Sequence, residues 1–143
     1  MFPSLFILLY VAHLLSDYPF QTDHQAKCKA GWTDMDTRTK EVRHHHGWGA
    51  NLTHAGTHTL TTAAALGVGA LVLDLPLTVP AAVTALLWIG ATHAFIDRRW
   101  PVARWMKFAR QAGWAQHGGA AHVDQTAHIT ALAIAALAMA GLS

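Results

Sequence analysis

The chain has 143 residues, 52% of them hydrophobic and 13% charged, with a formal net charge of +2. That is too little charge to cover a water-soluble domain of this length, and a single cysteine, Cys28, excludes an intrachain disulfide or a thiolate zinc cluster within one chain. All ten Lys and Arg residues fall in 27–43 and 98–110, beside apolar runs, so positive-inside sorting explains the basic pI and no nucleic-acid partner is expected.

Apolar runs of the roughly 20 residues that cross a bilayer predict four spans, at about residues 2–20, 52–73, 77–96 and 123–142. The first lacks the basic start and small-residue cleavage pattern of a secretory signal and carries His13 and Asp17, so it reads as a retained span. The intervening segment holds His44, His45 and His46 beside Gly47 and Gly49, which read as a solvated loop or lid. Pro76 and Pro80 punctuate a tight turn between spans two and three, with Pro80 tolerable in a first helical turn. After span three, Val102, Trp105, Met106 and Ala109 share one helical face and Arg104, Lys107 and Gln111 the other, the pattern of an interfacial amphipathic helix or of an ordinary solvated loop helix. Small residues on spans two and four, among them Ala63, Gly67, Gly69, Ala131 and Ala135, predict close helix packing within the chain or in a homo-oligomer.

The predicted fold class is therefore all-α, a single integral membrane domain over 1–143. It is a four-transmembrane-helix bundle built from two repeated hairpins, with the amphipathic helix between spans three and four. The two loops that hold every Lys and Arg must share a face, which places them in the cytoplasm and both termini outside.

Spans one and three end in VAHLLSD and ATHAFID, each His-x-x-x-Asp. Spans two and four open with His54-x-x-x-His58 and Asp124-x-x-x-His128. Residues four apart share a helix face, so these pairs predict a repeated hairpin with His13, His58, His93 and His128 in one layer and Asp17, His54, Asp97 and Asp124 one turn nearer the cytoplasm. Ionisable groups at membrane depth mark functional sites by default. A carboxylate at a helix C-terminus opposes the macrodipole and needs a cation; Arg98 and Arg99 are the nearest in sequence to Asp97, while Asp17 has none closer than Lys27. A divalent ion meets that need, and nitrogen and carboxylate donors without thiolate suit Zn, Mn or Fe. Gln21 and Gln125 stand where they would orient the ligands or donate to substrate. Three simpler readings stay open: Asp124 as a helix cap, His54 bonded to loop backbone, and the buried pairs as interhelical hydrogen bonds without a ligand.

HLLSDYPFQTD, the His-rich opening of span two, THAFID and DQTAHI together resemble the bacterial and phage membrane proteins grouped as domain of unknown function 3307, over nearly the whole chain. The resemblance implies a four-span protein of the bacterial inner membrane and directs interest to His13, Asp17, Gln21, His58, His93, Asp97, Asp124, Gln125 and His128. It implies no activity. The His-x-x-x-Asp helices are more distantly similar to the membrane-bound metal-dependent hydrolases.

The expectation drawn from all this is a metal centre with a phosphorylated or lipid-linked small substrate and with Asp17, Asp97 or Asp124 as general base. Its rivals are a proton or divalent-ion transporter or channel, a holin-like protein without metal, and bis-His haem ligation, which the neighbouring carboxylates disfavour by crowding.

Overall fold

A computed structural model describes residues 1–142. Helix α1 (Phe2–Asp17) opens on Pro3 and closes before Pro19, which cannot continue a helix and restricts Tyr18; the predicted first span loses its last three residues for that reason. The short helix α2 (Asp23–Cys28) is started by a reciprocal capping box, in which the Thr22 side chain accepts from the Gln25 amide and the Gln25 side chain from the Thr22 amide.

The chain is not all-α. Strands β1 (Trp32–Met35) and β2 (Val42–His45) form an antiparallel hairpin with Trp32 opposite His45 and Asp34 opposite Arg43. His44 and His45 therefore belong to a strand, not to a loop, and the His45 ring stacks on Trp32 at 4.4 Å. Asp36 closes the turn by accepting from the Arg38 and Thr39 amides at 2.8 and 3.2 Å. Those two donors hold its carboxyl below the usual carboxylate value.

Helix α3 (Trp48–Val72) begins four residues before the predicted span, immediately after Gly47. Gly47 has φ +72°, and a Cβ there would strike the Cys28 carbonyl and the backbone of Gly31, so only glycine lets the hairpin pass so close to the end of α2. Thr78 caps α4 (Val79–Ile96), with Pro80 in its first turn. Arg99, at φ +63°, turns the chain sharply into α5 (Trp100–Phe108). Of the face predicted to be apolar, Val102 and Met106 are buried, whereas Trp105 is exposed. A three-residue helix, α6 (Ala112–Trp114), leads through a wide turn broken at His117 and Gly118 into α7 (Ala120–Gly141). Asp124 thus lies inside α7 and does not cap it, because the N-cap is Gly119.

Helices α1 and α4 each pack against both α3 and α7, so the four close a ring. One end is filled by Leu5, Leu9, Leu66, Ile89, Leu132 and Met139 with small alanines between them. Gly69 admits Leu8 and Leu75, and Gly90 admits Thr59, each closer than a Cβ would allow; Gly67 faces open space. Three stretches, Trp48–Val72, Val79–Ile96 and Ala112–Gly141, are long and apolar enough to cross a membrane, whereas α1 is shorter at 16 residues. Large apolar side chains also stand outward along these helices, with Leu60 74%, Leu71 85%, Val79 75% and Leu87 70% exposed. So much outward apolar surface suits a hydrocarbon solvent and not water.

Candidate metal centre

The helical spacing of four acts first. His13 and Asp17 meet on α1 with Nε2 to Oδ2 at 3.2 Å, and His93 and Asp97 repeat the contact across the end of α4, again at 3.2 Å. Ring closure then brings the helices together. Asp17 Oδ1 lies 3.2 Å from His54 Nε2 and 3.1 Å from His58 Nε2, both on α3, and 3.9 Å from His93 Nε2 on α4. On the neighbouring side, Asp97 Oδ2 is 3.2 Å from His93 Nε2 and 3.6 Å from His54 Nε2, while Asp97 Oδ1 is 3.9 Å from His128 Nε2 on α7. His58 and His93 stack with centroids 3.5 Å apart, and His93 and His128 follow at 4.3 Å.

Two sets of donor atoms converge, each within 4.8 Å: Asp17, His54, His58 and His93, and then His93, Asp97 and His128. His93 counts in both, but one imidazole Nε2 can serve only one ion at a time. Assigned to the second set, it leaves three donors on each side. Asp17, His54 and His58 come from α1 and α3; His93, Asp97 and His128 come from α4 and α7.

The hydrogen bonding behind the donors has a consistent sense. His128 Nδ1–H donates to the Asp124 carbonyl one turn back, at 3.0 Å. That fixes the tautomer and leaves Nε2 as a lone pair turned toward the carboxylate of Asp97. His128 Nε2, His93 Nε2 and Asp97 Oδ2 are all buried without a well-aligned hydrogen bond, although the last two face each other at 3.2 Å. Buried polar atoms are almost always partnered, and lone pairs facing a carboxylate repel it; a cation is the group that removes both costs at once.

The remaining predicted residues divide. His13 joins neither convergent set: its Nε2 is held by Asp17 Oδ2 and lies 3.2 Å from Gln125 Oε1. Gln125 Nε2–H also donates to Asp17 Oδ2 at 3.0 Å, so this amide fixes an imidazole and a carboxylate together. The Gln21 amide lies 2.8 Å from His54 Nε2, and His54, fully buried, is bonded into the centre and not to loop backbone. Among the described residues the Asp124 carboxylate pairs with His128 Nδ1, at 3.4 Å, and with 24% of its side chain exposed it stands on the wall of an adjoining cavity.

Arg98 and Arg99 do not neutralise Asp97. Arg98 donates to the Lys29 carbonyl at 2.9 Å and covers the Trp48 ring, and Arg99 donates to the Ala26 carbonyl at 3.2 Å. The cation on Asp97 is Lys29, at the end of α2, with Nζ to Oδ1 at 2.9 Å. No local pattern in the sequence marks Lys29, because its role depends on α2 docking over the end of the ring. Asn51 likewise carries no local sign of its role; it is fully buried and its Nδ2–H ties α3 to the Ala94 carbonyl of α4 at 3.1 Å.

A family model described as "Protein of unknown function (DUF3307)" matches residues 5–143. No curated protein and no solved structure matches the chain.

Proposed function

The chain belongs to the DUF3307 family, a membership that carries no activity, and from the geometry of its centre we propose that it is a membrane metalloenzyme that hydrolyses a phosphoester. In this reading α1 spans the bilayer with the three longer helices as a four-span bundle, and the basic loops, with the centre beneath them, face the cytoplasm. The observation that carries the proposal is the convergence of buried ligand-type atoms from four helices, among which His93 Nε2, Asp97 Oδ2 and His128 Nε2 make no well-aligned hydrogen bond.

Two ions of Zn, Mn or Fe, each with three protein donors, would keep open positions for water and substrate. Bound metal supplies Lewis acidity and an activated water. The protein supplies the rest. Asp17 and Asp97 are committed to the centre, so Asp124, exposed to the adjoining cavity, is the carboxylate available to take a proton. Gln125 holds Asp17 in place, while the Gln21 amide lies on the same His54 nitrogen that would bind an ion and would be displaced by it. Conduction fits less well, because beyond the His layer the ring is packed with Leu5, Leu9, Ile89 and Leu132 and offers no polar path.

Purification in mild detergent followed by elemental analysis should give one to two equivalents of a transition metal, and His93→Ala and Asp97→Asn should each lose most of it. Metal-loaded protein should release phosphate from an aryl phosphate, with Asp124→Asn keeping the metal but losing the turnover. A chain that purifies metal-free and gains no thermal stability from Zn, Mn or Fe would overturn the proposal.

A further inference from the structure

A cavity of about 890 Å³ adjoins the centre, roofed by α5 and floored by the start of α7. Its walls carry Lys29, Arg99 and Lys107 against Asp97 and Asp124, three cations to two carboxylates. Asp97 is 2% exposed and already engaged by Lys29 and the imidazoles, so it opposes an incoming anion weakly. Lys29 has three N–H donors, of which Asp97 takes one. Ala103 and Lys107, four apart on α5, and Arg99, in the turn that leads into it, all line this wall, which sets two cations on either side of a small side chain.

Apart from Gln21 the rest of the wall is apolar, with Val102, Met106, Ala115 and Ala120 facing the space. Trp105 and Phe108 on the same helix are 57% and 80% exposed, as befits a helix lying at a membrane surface. Cationic groups next to the carboxylate end of the centre, set in a largely apolar wall beneath a helix that exposes Trp105 and Phe108, match one kind of molecule. We infer that this cavity binds the substrate of the proposed reaction, an amphiphile with a phosphate headgroup, held by Lys29, Arg99 and Lys107 with its glycerol and first methylenes against α5. The volume suits it, since small-molecule sites run from about 300 to 1,000 Å³, and the headgroup then meets Asp124 and the open side of the metal centre. The inference rests on the metalloenzyme reading for its chemistry but not for its binding step.

The test is calorimetric titration of the full chain in detergent with three probes: dihexanoyl phosphatidic acid, glycerol phosphate and inorganic phosphate. The acyl form should bind at least about tenfold more tightly than the other two. Lys107→Gln should weaken it about tenfold and Ala103→Trp should abolish it. Both positions are exposed on α5, so folding and metal content should be unchanged, which Lys29→Gln, by stripping buried Asp97 of its cation, would not guarantee. Equal affinity for all three probes would overturn the lipid assignment in favour of free phosphate. No binding by a chain that holds its metal would overturn the cavity itself. Tight, variant-sensitive binding by a chain that holds no metal would sustain the cavity and remove the metalloenzyme reading alone.

Discussion

At the scale of single residues, Gln125 is the most exacting member of the centre. It accepts near His13 Nε2 through one amide atom and donates to Asp17 through the other, so its replacement frees a carboxylate to rotate without removing a ligand. Gln125→Leu should lower metal affinity by about 10- to 100-fold, the usual cost of losing a group behind the ligands, while Gln125→Glu, which cannot donate, should lose most of the same affinity. Competitive titration with a fluorescent chelator reads both, and an unchanged affinity in both variants would show that Asp17 needs no such support. The pairings His13–Asp17 and His93–Asp97 were legible in the sequence because helix periodicity alone makes them. Lys29 on Asp97 and Asn51 on Ala94 were not, since each joins residues 43 or more positions apart in sequence by a contact that exists only after docking.

Among the elements, the hairpin is the part that apolar patterning passed over. Its strands have four residues each and are mostly exposed, so they bury no alternating face to read; what fixes them is turn chemistry and one glycine. Gly47→Ala combines a positive φ with a clash against the Cys28 carbonyl and should cost about 2 to 4 kcal/mol, seen as a lower unfolding temperature in detergent. Gly67→Ala, which faces open space, is the control and should cost nothing measurable. The hairpin should also report on acidity. Because the Asp36 carboxyl is lowered by the Arg38 and Thr39 amides, its contribution is present throughout the ordinary carboxylate range and above, and is lost only as pH falls through the lowered value. The amide proton shifts of Arg38 and Thr39 should therefore titrate below the usual aspartate midpoint; titration at that midpoint would show that the turn does not hold the carboxylate. The long helices were legible as apolar runs, but their ends shifted where a local group intervened: Pro19 shortened α1, and Gly47 allowed α3 to begin early.

For the molecule as a whole, ring closure has a consequence that no single helix reveals. The donors fall three and three across the Asp74–Thr78 turn, so each half of the polypeptide carries a potential ion site and the shared face between the halves is where they meet. A break in that turn would cut no ligand set. Two fragments, 1–75 and 76–143, made from separate messages in one cell should find each other and copurify, with the metal content of the intact chain recovered in the joined product. Complementation by such a split chain would mean that the His and Asp cluster assembles from two separately inserted halves, with the covalent link between them dispensable.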